Sequence, residues 1–240
     1  MFYPVALNYL NNQSLSKMLK LNHVFSWIEN AWGLFIQQPI KWIALIWIAS
    51  LISGLTFGLI IPFLMAGIAF ACQTQQQANP LKIQYLLIGF RQETRSLFLL
   101  CLLFLVALIV FYLVIELPIR SYIAQHPSAS SLFIVLLFAC QLLFSIIFWA
   151  STLVILCQKT AFVAITMAAK TLVNHMGSIL ILNFIFSAAV VLIFLLMQQL
   201  SISVLFIKTV LLLLSLYIVL ILFCGALYCA YQDLFKNQTV

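Results

Sequence analysis

Residues 42–72 read WIALIWIASLISGLTFGLIIPFLMAGIAFAC, thirty-one positions without a charge, and the way they meet a membrane decides the fold. A helix needs about 20 apolar residues to cross ~30 Å of hydrocarbon, so the run is long for one span and short for two. Gly54, Gly58, Pro62 and Gly67 lie within it, and proline and glycine interrupt helices. Charge bias separates the two readings. If the run is one helix, Lys82, Arg91 and Arg95 lie across the membrane from Lys17, Lys20 and Lys41. If it is a hairpin turning near Gly58 to Pro62, all six share one side, and Lys159, Lys170 and Lys236 join them through the later spans. Only Arg120 and Lys208 then stand opposite. Nine basic residues against two is the positive-inside pattern, and it selects the hairpin, with both termini in the cytoplasm.

Composition agrees that lipid is the solvent. Hydrophobic residues make up 66% of the 240 and charged residues 6%, against about 45–50% and 25% in soluble domains. Soluble enzymes and disordered tails are excluded. The net charge of +7 is not a nucleic-acid footprint, because its bases are scattered singly rather than clustered on one face. The six cysteines sit in or beside apolar runs with no CxxC among them, which reads as small buried side chains.

Working outward, Leu97 to Leu117, Ser131 to Cys157, Ser178 to Met197 and Ile202 to Tyr231 each supply a span. With the hairpin these make six. The linkers carry helical periodicity as well. Val24, Ile28, Trp32, Phe35 and Ile36 form one stripe, ended by Pro39. Asn79-Pro80 supplies a cap and a first-turn proline for a second, with Ile83, Leu86, Leu87, Phe90 and Leu97 opposed to Gln84, Arg91 and Arg95. A third runs through Phe162, Ile165, Ala169, Leu172 and Val173 to Gly177. Each precedes a span, so the chain reads as one unit used three times, over about 23–72, 80–157 and 159–231. SWIENAWGLFIQQPIKWIALIWI lies over VAITMAAKTLVNHMGSILILNFI without a gap. The expected fold is all-α: six transmembrane helices, three amphipathic interfacial helices and a threefold internal repeat. Residues 1–22 are a polar N-terminal leader without the order of a signal peptide, 23–232 a single transmembrane helical domain, and 233–240 a short C-terminal tail.

The run WIENAWGLFIQQPIKWIALIWI, then GLIIPFLMAGIAFAC, then LLIGFRQ resembles a family of uncharacterised bacterial multi-pass inner-membrane proteins. That family is distantly similar to the membrane domain accompanying some glycerophosphodiester phosphodiesterases. The resemblance covers roughly residues 23–100. It implies a bacterial inner-membrane location and carries over no catalytic residue, since the soluble phosphodiesterase domain is absent.

Chemistry is sparse. The four acids, Glu29, Glu93, Glu116 and Asp233, do not pair in the sequence, and His23, His126 and His175 are isolated. No metal-binding or phosphate-cradling motif occurs, so no catalytic, cofactor or metal site is assigned. Glu116 in IELPIR is either an interfacial partner of Arg120, worth about 0.2–0.5 kcal/mol across one turn, or an intramembrane carboxylate paired with Lys208. Gln141 and Asn183, together with Gln198, must face the bundle because an unpaired amide in lipid is costly. Trp27, Trp32, Trp42 and Trp47 read as a headgroup belt, and Lys82, Arg91 and Arg95 as contacts to anionic headgroups. Two function classes lead, ahead of a third, a lipid-modifying enzyme. One is a non-enzymatic membrane protein that associates with other membrane proteins or organises lipid. The other is a small carrier with Glu116, Lys208, Gln141 and Asn183 as its polar track.

Overall fold

The computed structural model describes residues 22–125, 132–199 and 205–235. The leader up to residue 21, His126, Lys236 and the tail beyond Phe235 lie outside them, as does the side chain of Arg120. Among the described residues every regular element is helical. α1 (Asn22–Gln37) is followed by α2 (Pro39–Leu55) and α3 (Ile61–Gln76). A 3-10 turn (Ile83–Leu87) leads into the short α4 (Ile88–Arg91). α5 (Thr94–Phe111) continues through a π turn (Tyr112–Glu116) into α6 (Leu117–Gln125), and then come α7 (Leu132–Cys157), α8 (Ala161–Asn174), α9 (Met176–Gln199) and α10 (Leu205–Phe235).

Four stretches of the described chain are long and apolar enough to cross a membrane: Thr94–Ile119, Phe138–Cys157, Met176–Gln199 and Ile207–Phe235. A fifth is reached if α1 and α2, which meet at 100°, count as one broken span. Six long helices are therefore not found. α2 and α3 have 17 and 16 residues, roughly 25 Å at 1.5 Å per residue, because Pro39 fixes the start of one and the turn at 56–60 separates them. That turn does reverse the chain. Phe57 and Gly58 both adopt positive φ, 50° and 77°, and the Gly58 amide donates to Ser53 O at 2.7 Å. At the far end the hairpin is clasped: Trp42 Nε1 donates to Gln75 Oε1 at 2.8 Å, and Gln75 Nε2 to Leu34 O at 2.7 Å. A buried glutamine thus satisfies an indole and a free carbonyl where α1 turns into α2.

The helices pack in a cycle. α3 lies against the 83–91 segment and α5, α7 against α8 and α9, and α10 against α2. α10 also reaches α1, since a Cβ at Gly225 would stand 3.0 Å from Ala31 Cβ and Trp27 Nε1 donates to Asp233 Oδ2 at 3.1 Å. α3, α7 and α10 touch one another in the middle. Burial follows the same cycle. Gln38, Glu93 and His175 stand immediately before α2, α5 and α9. Seven and four residues before them, Ala31, Leu86 and Ala168, then Leu34, Gly89 and Thr171, are all buried. Four, seven and eleven residues after them, so are Trp42, Leu97 and Ile179; Leu45, Leu100 and Leu182; and Ala49, Phe104 and Phe186.

The interfacial segments differ from expectation in which face they bury. α1 turns Val24, Trp27, Ala31, Leu34 and Phe35 inward, so Val24 and Phe35 of the expected stripe are buried, and leaves Phe25, Trp32 and Ile36 exposed. α8 buries Ala161, Ala164, Ala168 and Thr171, the small side chains that let it approach α7 closely, and exposes Phe162 and Val173. Between Pro80 and Arg91 the amphipathic helix is replaced by the 3-10 turn and α4. Pro80 precedes them without entering a first turn, because Ala78 at φ 60° and a Gln38 side chain capturing the Leu81 amide at 3.0 Å hold the chain extended there. Leu86 and Gly89 face inward, whereas Ile83, Leu87 and Phe90 do not. The tryptophans divide as well: Trp32 and Trp47 are exposed, but Trp27 and Trp42 are 3% and 2% exposed and serve as buried donors rather than as a belt.

Candidate functional site

Packing is dense at the end carrying α1, the 83–91 segment and α8, and loosens toward the other. Among the described side chains, buried positions in α5 stop at Phe104 and in α9 at Ser187, and in α10 they begin only at Ile221. In the looser half four clefts open between the helices: one of about 560 Å³ between α7 and α9, with Phe138, Phe184 and Leu195 in its wall, and three that surround Phe144. The first of these three, about 350 Å³, lies among α2, α3 and α10 and is lined by Ala49, Ser53, Met65 and Leu220. A second, about 390 Å³, lies among α3, α5 and α7, lined by Met65, Phe104, Leu108, Leu143 and Glu116. The third, about 280 Å³, lies among α7, α9 and α10, with Gln141, Phe186, Val190 and Leu220 in its wall. Phe144 lines all three. These three also use corresponding wall positions, eleven and fifteen residues after Gln38, Glu93 and His175: Ala49, Phe104 and Phe186, then Ser53, Leu108 and Val190.

Their described walls are mainly apolar, and Glu116 is the one charged residue among the described lining residues. It ends the π turn, two residues before Pro118. A proline lacks the amide that would continue the ladder and crowds the carbonyl four residues back, and the wider turn accommodates both. Such turns recur at functional sites. From Thr94 to Glu116 the chain rises about 33 Å at 1.5 Å per residue, a length comparable to a ~30 Å hydrocarbon layer. Like Glu116, Lys208 near the start of α10 engages a neighbouring group, but it lines none of these three clefts.

Gln141 and Asn183 are brought together, though as a seam rather than a channel. Ser187 Oγ donates to Gln141 Oε1 at 2.6 Å. One turn away Ser145 Oγ donates to Gln141 O at 2.9 Å and faces Asn183 Oδ1 at 3.5 Å, while Asn183 Nδ2 donates to Ile179 O at 2.8 Å. Ser145, Asn183 and Ser187 are buried. Their hydrogen bonds join α7 to α9 and leave the polar groups satisfied within the bundle. Ser145 and Ser187 supply half of this seam, and nothing in the sequence marks them, because lone serines in apolar runs are common.

At the dense end, Lys82, Arg91 and Arg95 are exposed on one short stretch. His23, isolated in the sequence, meets Asp233 at 3.3 Å. A smaller pocket of about 190 Å³ there is lined by Gln73, Lys159, Tyr228, Tyr231 and Gln232. Its polar groups are largely cross-linked, Cys157 Sγ with Tyr231 OH at 3.0 Å and Gln232 Nε2 donating to Tyr228 OH at 2.7 Å. Among the described residues no three His, Cys, Asp or Glu side chains converge on a common point that could hold a metal ion. No family model, curated protein or solved structure matches the chain.

Proposed function

We propose that this chain is a non-enzymatic integral protein of the bacterial inner membrane that organises lipid around itself. Its architecture on this reading is three copies of one unit closed into a ring. Each copy has an interfacial segment, an outer span and an inner span, giving six crossings with α2 and α3 as a short first pair and both termini in the cytoplasm. The shared burial positions around Gln38, Glu93 and His175, and the packing of each inner helix on the following copy, support the repeat. The exposed apolar residues of α1 and α8 sit where an interfacial helix touches acyl chains.

The observation that carries the functional reading is the set of three apolar clefts meeting at Phe144. Hydrocarbon is what a bilayer offers to such walls, and a hydrophilic solute would lose its hydration there without replacement. The rival, a carrier using Glu116, Lys208, Gln141 and Asn183, finds less support, because Gln141 and Asn183 already bond within the α7–α9 seam. The resemblance to uncharacterised inner-membrane proteins favours the same location.

The test is purification from native membranes in polymer-bounded lipid discs, followed by exchange into a delipidating detergent and mass spectrometry. Phospholipid retained in fixed stoichiometry supports the proposal. A chain stripped of lipid after exchange, or one held in fixed ratio to another membrane protein and no lipid, would overturn it. For topology, an impermeant thiol reagent applied outside intact cells should leave a cysteine introduced at position 82 unlabelled.

A further inference from the structure

We infer that the cleft among α3, α5 and α7 binds a phospholipid whose headgroup carries a primary ammonium. The inference rests on the lipid-organising reading and assigns a headgroup class to one of the three clefts.

Depth is the first argument. The cleft wall runs along one helical path from Phe104 to Glu116, about 18 Å at 1.5 Å per residue. One leaflet of a ~30 Å hydrocarbon core is about half that core deep. The wall thus matches a single acyl tail laid from headgroup level toward the midplane. Its volume of about 390 Å³ gives room for on the order of ten methylene-sized groups, at roughly 30 Å³ for a group the size of water. Phe104, Leu108, Leu143 and Phe144 line this lower part, and Tyr112 and Glu116 the upper.

Charge is the second. Among the described lining residues of these clefts only Glu116 carries a charge, and a rise of about 33 Å from Thr94 would set this acid near headgroup depth. A lipid ammonium there donates a charge-assisted hydrogen bond to the carboxylate, a bond that an anionic phosphate cannot make with it. Glu116 already engages a group within the protein. A carboxylate has two oxygens and about four acceptor sites, so it can serve that group and a lipid N–H together. The π turn gives the third argument, since it sets the register in which residue 116 meets the cleft rather than the surrounding lipid.

The experiment is native mass spectrometry of the full chain, released from mixed micelles containing equimolar phosphatidylethanolamine, phosphatidylglycerol and phosphatidylcholine with matched acyl chains. The wild type should retain phosphatidylethanolamine in roughly five- to tenfold excess over phosphatidylglycerol, the factor expected of a charge-assisted bond at a partly solvated site. Phosphatidylcholine, which has the charge but no N–H, should fall between. Glu116→Gln should bring the ratio to parity without lowering total lipid, and Glu116→Asp should restore part of it. Circular dichroism on each variant verifies the helical fold, and Gln141→Leu, in the neighbouring cleft, should leave the headgroup ratio as in the wild type. Lipid retained by the wild type with no headgroup preference, or a preference that survives in Glu116→Gln, overturns this inference alone. A wild type that retains no lipid overturns it together with the proposed function.

Discussion

Gly67→Ala puts the contact between α3 and the 83–91 segment under direct strain. A Cβ at position 67 would stand 2.6 Å from Leu86 Cα and 2.8 Å from the carbonyl oxygens of Tyr85 and Leu86. All three are backbone atoms, so no side-chain rotation relieves the clash. Carbon atoms pack comfortably at about 3.5 Å or more, which leaves nearly 1 Å to be recovered by moving one segment off the other. Helix propensity pulls the opposite way, since alanine is up to ~1 kcal/mol better than glycine in a helix interior. Overpacking costs about 1–3 kcal/mol, and a backbone-only clash belongs at the top of that range, so the net loss is about 1–2 kcal/mol. At ~2–4 °C per kcal/mol for a chain of this size, the unfolding midpoint falls on the order of 5 °C. Controls are built in. Gly33 and Gly54 have nothing within 4 Å of an added Cβ, so alanine there should leave the midpoint unchanged or raise it. Thermal unfolding followed by tryptophan fluorescence in one detergent is the assay. If Gly67→Ala melts at or above the wild-type midpoint, α3 does not lie on the 83–91 segment in the way described.

Two other predictions concern buried polar pairs. Trp42→Phe leaves Gln75 Oε1 without its indole donor and should cost about 1–3 kcal/mol. The Trp42→Phe/Gln75→Leu double variant should lose less than the sum of the singles, and additive losses in the same melting assay would contradict a shared bond. Ser187→Ala removes the donor to Gln141 and should cost about 0.6 kcal/mol, the membrane average. Paired with Gln141→Leu, it should be nearly silent.

The spans between 94 and 235 were legible because long uncharged runs leave a chain little alternative. The reversal near Gly58 was legible through charge bias. What the sequence hid was direction. In a soluble helix the apolar stripe marks the core, but here lipid accepts the same side chains, so Phe162 and Val173 could not be told from core residues. The burying face of α8 is instead its small one, Ala161, Ala164 and Ala168, and smallness is a weak signal amid so many aliphatics. Trp27 and Trp42 were misread for a related reason. Their partners, Asp233 and Gln75, are 206 and 33 positions away, and no local pattern announces a bond of that span. For the candidate site, Glu116 was visible as the odd charge in an apolar run. The cleft it faces comes from α3 and α7 arriving beside α5, which only the assembled bundle displays.

The bond between Trp27 and Asp233 bears on how the protein is made. α1 leaves the ribosome well ahead of the surface that receives it, since Trp27 and Asp233 are 206 positions apart. Until α10 is made, the contacts of Trp27 with Asp233 and of Ala31 with Gly225 have no second partner. Closure of the cycle at this point therefore waits for α10.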